Sequence, residues 1–150
     1  MAYRLRRAFS NPAWICFTWF GLTAGISVLA TPVRFASQEL ARDTKFEVAR
    51  IVFTALNKAE LVALVLFLIV IRVSGAAARW WAVAGLLVLI VMAQSVFLLP
   101  ELAERTDMVV RGIEPPPSYV HAAYSTLEMT KLAILFVTGI VALGWERGSN

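Results

Sequence analysis

Residues 47–73, EVARIVFTALNKAELVALVLFLIVIRV, join a polar first half to an apolar second half. The uninterrupted apolar run, Leu61 to Ile71, is only eleven residues long. A helix needs ~20 residues to cross a hydrocarbon core of ~30 Å. The segment therefore spans a bilayer only if the half carrying Arg50, Asn57, Lys58 and Glu60 enters it too. At 1.5 Å per residue, Lys58 falls roughly 16 Å from Glu47, about half the core thickness.

The rest of the chain repeats the pattern. Of 150 residues 59% are apolar, and the mean hydropathy is +0.72. Hydrophobic segments cover about 12–35, 47–73, 79–99 and 119–145. In the fourth, the apolar run from Leu132 to Leu143 is broken by Thr138 and Gly139 and is again too short to span alone. Lys131 lies roughly 18 Å along a helix from Tyr119. Long runs without period-2 alternation favour helices over barrel strands, and lipid demands that each segment satisfy its own backbone. The expected fold is all-α: an integral membrane four-helix bundle, one transmembrane domain over residues 1–150.

Local signals mark the helix ends. Asn11-Pro12 suits a helix start. Thr44-Lys45-Phe46-Glu47 fits a capping box opening the second helix, and Ser74-Gly75 closes it. Ser118, after Pro115, Pro116 and Pro117, can cap the fourth. Gly21 and Gly25 form a GxxxG step that permits close helix contact. Trp80, Trp81 and Trp145 suit an interfacial belt. Arg4, Arg6 and Arg7 ahead of an apolar run imitate a signal peptide, but the run is long and reads as a retained first helix.

Orientation follows from the loops. The tail before Pro12 carries three arginines, and the 72–79 loop carries Arg72 and Arg79 without acids. The 100–118 loop carries Glu101, Glu104, Asp107 and Glu114 against Arg105 and Arg111. The positive-inside rule puts both termini in the cytoplasm and the acidic loop outside, in a multi-pass protein of a bacterial cytoplasmic membrane. The net charge of +4 then reflects topology, and nucleic acid is not expected as a partner. The lone Cys16 excludes a disulfide framework and reads as a packing residue.

Seven ionisable side chains, Arg34, Arg50, Lys58, Glu60, His121, Glu128 and Lys131, fall in or beside the spans. Each such charge costs roughly 2.5–3.5 kcal/mol at the centre of a membrane helix on insertion scales. Spacing gathers them. His121, Tyr124, Glu128 and Lys131 share an arc of about 80° on one helix. Arg50, Thr54 and Asn57 share about 60°, flanked by Lys58 and Glu60, and Thr23, Ser27 and Arg34 share about 40°. With Gln94 and Ser95, these sets converge on the outer half of the bundle. The expected pocket is Arg34, Arg50, Asn57, Lys58, Gln94, His121, Tyr124, Glu128 and Lys131. Its balance is positive, a charge that lysine deprotonation, water, or an anionic ligand or head group would relieve.

The same residues also fit a buried pair that only fixes packing, Glu128 with Lys131 or with Arg50. His121 stands alone as a metal or haem ligand, so no metal site is expected and no cofactor is indicated. No nucleophile-plus-base pair or phosphate loop is present, so no catalytic residue is assigned.

Gly25, the Ala30-Thr31-Pro32-Val33-Arg34-Phe35 end of the first helix, Asn57, Pro100, and His121 through Tyr124 with Glu128 and Lys131 form a further pattern. In these elements the chain resembles the transmembrane protein 205-like domain family of small four-helix membrane proteins. The resemblance implies an integral membrane protein and carries over no catalytic residue.

Two functions are expected from the residues. The first is an outward-facing pocket for a small polar or anionic ligand or for protons. Arg34, Arg50 and Lys58 would supply positive charge, Asn57, Gln94 and Tyr124 would orient the ligand, and Glu128 with His121 would handle protons. The second is an accessory or scaffold subunit of a larger membrane complex, with a membrane-protein partner or a second copy beside the lipid bilayer. An enzyme acting on a lipid-soluble substrate is the third and least supported reading.

Overall fold

A computed structural model describes residues 11–147. Arg4, Arg6 and Arg7 of the basic tail, and the side chain of Trp145, lie outside the described residues. Those described form four long helices, α1 (Ala13–Ala36), α2 (Arg42–Val73), α3 (Ala78–Val110) and α4 (Val120–Arg147). All four are long and apolar enough to cross a membrane.

The ends follow the local chemistry, with two corrections. Asn11 Oδ1 accepts the Ala13 N–H at 2.8 Å, and Ser118 Oγ accepts the Val120 N–H at 3.1 Å, so both helix starts are capped as expected. Gly75, at φ +64, turns the chain out of α2, a conformation that glycine adopts without a Cβ clash. The capping box, however, does not form. α2 already begins at Arg42 with Ala41 at its N-cap, which places Thr44 inside the first turn. Asp43 occupies that turn, where a carboxylate suits the positive end of the helix dipole.

The second correction concerns α3, which does not stop near Leu99 but continues to Val110. Glu101, Glu104 and Asp107 are therefore helical, and the connection to α4 shrinks to residues 111–119. Pro100 fails to end the helix because a π-helical segment, Gln94–Leu98, precedes it. α1 repeats the device: a π segment, Gly25–Ala30, lies just before Thr31-Pro32. Proline lacks an N–H and its ring meets the carbonyl four residues back, a conflict that a wider turn relieves. Side chains patch the loosened backbone: Thr31 Oγ1 donates to the Ile26 carbonyl at 2.9 Å, and Ser95 Oγ to that of Val91 at 2.7 Å.

Contacts fix the packing as antiparallel. Asn11 Nδ2 reaches the Ala142 carbonyl, and Ser27 reaches Glu128, which runs α1 against α4. Asn57 meets Ser95 and Arg50 meets Asp107, which runs α2 against α3. The ends of α1 and α2 that face the 37–41 connection meet edge-on through Phe35 and Phe46. Nearer the 74–77 connection, Cys16, Trp19, Phe67, Ile71, Leu87, Val91 and Leu135 form a buried hydrophobic core. Cys16 is fully buried there, as a packing residue should be.

Close helix approach occurs at Gly139, which the Phe17 ring covers so tightly that a Cβ there would lie 2.8 Å from the ring. Gly21 and Gly25 do not serve this purpose within the chain, since nothing lies within 4 Å of a Cβ placed at either. The outer surface is apolar, with Leu29, Val73 and Leu89 among many exposed aliphatic side chains.

Candidate functional site

Midway along the helices the core becomes charged. Lys131 and Glu60 are fully buried, as is Gln94, and Glu128 is 3% exposed. The Lys131 ammonium lies 2.7 Å from the Glu60 carboxylate, 2.8 Å from Glu128 Oε2 and 2.8 Å from Gln94 Oε1. An ammonium has three hydrogens, and here each has an acceptor. Glu60 also accepts from Trp19 Nε1 at 3.1 Å and from Thr23 Oγ1 at 2.8 Å. Glu128 also accepts from Gln94 Nε2 at 2.7 Å and is bonded to Ser27 Oγ at 2.7 Å. All four helices contribute. Such a network repays the cost of burying its charges only when it is fully bonded, and this one is.

Local structure aims these groups. Glu128 and Lys131 lie three residues apart on one face of α4. Trp19, Thr23 and Ser27 follow one another at four-residue steps along α1. The two π segments carry Ser27 and Gln94, so both widened turns hold Glu128. π-bulges recur at functional sites, where the extra residue re-aims a side chain.

The structure divides the nine expected pocket residues. Gln94, Glu128 and Lys131 belong to the network, and Tyr124 is buried one turn from Glu128, edge-on to Phe53 at 5.7 Å. Asn57 Nδ2 donates to Ser95 Oγ at 2.6 Å. Arg50 pairs with Asp107 at 2.9 Å, both side chains part-exposed, and not with Glu128. Lys58 points outward and is exposed. Arg34 lies over the Phe35 ring, with Nε and Nη2 shielded from solvent and without a hydrogen-bond partner.

The buried charge balance thus reverses the expectation. Arg34, Arg50 and Lys58 stay out of the network, which sets two carboxylates against one ammonium. Glu60, expected only at the flank, is central, and Trp19 was not foreseen at all. One signal for Trp19 was present, its place one turn before Thr23 on the same helical face.

A cavity of about 240 Å³ lies at the end of the helices that carries the 37–41 and 111–119 connections. Phe35, Phe46, Phe53, Leu102 and Val109 supply apolar walls. Arg42, Arg50, Arg105 and His121 bring cationic and imidazole groups to it. Arg105 donates to the Pro116 carbonyl, which ties α3 to the last connection. Phe53 lines the cavity and packs against Tyr124, so this aromatic pair lies between the cavity and the network side of α4. Among the described residues, no three His, Cys, Asp or Glu side chains group to hold a metal ion.

Comparison with protein-family models, with curated proteins and with solved structures finds no match.

Proposed function

We propose that this chain is a multi-pass membrane protein, a four-helix bundle with both termini in the cytoplasm, that binds a small amphipathic anion in its outer cavity. The observation that carries the reading is the cavity itself, with aromatic and aliphatic walls and three arginines at its margin. Pockets of this make-up hold an apolar body by shape and orient it by a few polar groups. Of the three guanidinium groups, Arg50 is matched by Asp107. Among the described residues neither Arg42 nor Arg105 has a carboxylate within ion-pair distance. The surplus charge suits a carboxylate or phosphate group, which arginine binds in a bidentate manner.

Helix length supports the placement. α2 has 32 residues and would extend ~48 Å, against a hydrocarbon core of ~30 Å. With Ile71 at the cytoplasmic boundary, the core ends near residue 52 on the other side. The cavity then straddles the outer head-group level, where an amphipathic ligand has its polar group in water and its tail in apolar surroundings. Lys58 lies shallow enough in that frame to reach the interface along its own stem. The charged network beneath ties the four helices together as the floor of the site. The resemblance to the transmembrane protein 205-like domain family accords with this reading and adds no chemistry to it.

Native mass spectrometry of protein extracted gently from its membrane tests the proposal. A defined small-molecule mass should copurify, or a lysophospholipid or fatty-acid probe should bind. Either should be lost in Ala103→Phe, which fills the cavity, and weakened in Arg105→Gln. A folded Ala103→Phe protein that keeps the same ligand at the same stoichiometry would end the reading, as would failure of wild-type protein to bind any such molecule.

A further inference from the structure

We infer that Glu128 is a proton-binding site, holding the one proton that makes the buried network electroneutral. The inference is independent of the ligand in the outer cavity. It starts from a count. The groups in direct contact are Glu60 from α2, Glu128 and Lys131 from α4, Gln94 from α3, and Trp19, Thr23 and Ser27 from α1. Only three of these carry formal charge, two negative and one positive. Tyr124, one turn farther along α4, is the next titratable group on that face. With both carboxylates ionised, a charge of −1 would sit in a core whose charged members are at most 3% exposed. Uncompensated charge at such a site is strongly disfavoured, and a proton is the smallest group that removes it.

Hydrogen bonding says which carboxylate takes it. Glu60 Oε1 is bonded by the Thr23 hydroxyl and also by the Trp19 indole N–H, which can only donate and so favours the ionised form of this oxygen. Its other contact is the Lys131 ammonium, again only a donor. Glu128 differs. Its Oε2 accepts from Lys131 and Gln94, but the partner of Oε1 is the Ser27 hydroxyl alone. A hydroxyl donates or accepts equally well, and an O···O distance of 2.7 Å fits either direction. A proton added to Glu128 Oε1 therefore donates to Ser27 Oγ. The Ser27 hydroxyl hydrogen is then released to turn toward a backbone carbonyl of its own helix, an acceptor that serine side chains commonly use. One O–H bond forms at Glu128, the Glu128–Ser27 hydrogen bond reverses, and the carboxyl group keeps its partners. The π segment that carries Ser27 to this position is what makes the exchange available.

Exposed polar groups lie nearest on the cavity side. Tyr124 lies one turn from Glu128 toward the cavity, and His121, at the cavity margin, is exposed. The geometry gives a proton site reached from the same end as the cavity.

Infrared spectroscopy of the protein in lipid at neutral pH tests the assignment through the C=O stretch of a protonated carboxyl group. Wild type should show one such band, sensitive to deuterium exchange. The band should vanish in Glu128→Gln. It should also vanish in Glu60→Gln, because removing one negative charge leaves the network neutral without a proton. Ser27→Ala should shift it, while Thr23→Ala should leave it in place. Should Glu128→Gln fail to fold, the serine and threonine variants still decide the matter. Absence of the band in wild type overturns the inference. A band that survives Glu128→Gln, or that moves with Thr23→Ala and not with Ser27→Ala, also overturns it and places the proton elsewhere.

Discussion

Lys131 is the residue on which the buried charges depend, since its three hydrogens reach Glu60, Glu128 and Gln94. Removing one member of a buried ion pair typically costs 3–5 kcal/mol, because the partner is left uncompensated. Lys131→Met should therefore lower stability by about that amount in detergent unfolding, since the buried Glu60 carboxylate is left without its counter-charge. Adding Glu60→Gln and Glu128→Gln to it should restore most of the loss, because neutral amides need no counter-charge. If the triple variant is as unstable as the single one, packing rather than charge sets the effect. Trp19→Phe keeps the ring and deletes one hydrogen bond to a carboxylate. It should cost about 1.5–3 kcal/mol in the same assay. At this scale much was legible beforehand: Gln94, Glu128 and Lys131 could be singled out as polar groups at depth. The central role of Glu60 could not, because one helix's spacing does not reveal which residues of another helix it meets.

At the scale of the helix, the π segments explain both the successes and the misses of spacing. Thr23, Ser27 and Arg34 share one face of a regular helix, yet only the first two reach the network. The wide turn at Gly25–Ala30 shifts the phase between Ser27 and Arg34, so Arg34 leaves that face. Pro32 and Pro100 were the visible warnings, and each reads more naturally as a helix end. The glycines make a sharper contrast. Gly139 lies under the Phe17 ring, whereas Gly21 and Gly25 face open space. Gly139→Ala should therefore destabilise by about 1–3 kcal/mol through overpacking. Gly21→Ala should be neutral or gain up to about 1 kcal/mol from helix propensity. Thermal unfolding of the two proteins in one detergent gives the comparison. Equal effects would show that Phe17 yields without cost. The GxxxG spacing identified neither behaviour, because it records which residues are small and not what stands opposite them.

At the scale of the whole molecule, four helices with apolar outer faces were readable from composition and run length, but the sidedness of the cavity rests on loop charge alone. That sidedness decides which compartment would supply the proposed ligand and the proposed proton. Single cysteines make it measurable. Glu114 lies in the connection beside the cavity, and Ala77 in the connection at the opposite end. Native Cys16 is fully buried and should remain silent to a polar reagent, so it need not be removed. In intact cells Glu114→Cys should react with a membrane-impermeant maleimide, and Ala77→Cys should react only after permeabilisation. The reverse pattern would turn the cavity toward the cytoplasm, where its ligand would be drawn from a different lipid leaflet. The proton proposed for Glu128 would then exchange with the cytoplasm, from the end of the helices that carries His121. The network and the cavity would stand as described, since their geometry does not depend on orientation. Labelling at both positions without permeabilisation would instead contradict the single membrane crossing by α3 between the two connections and remove the four-span topology itself.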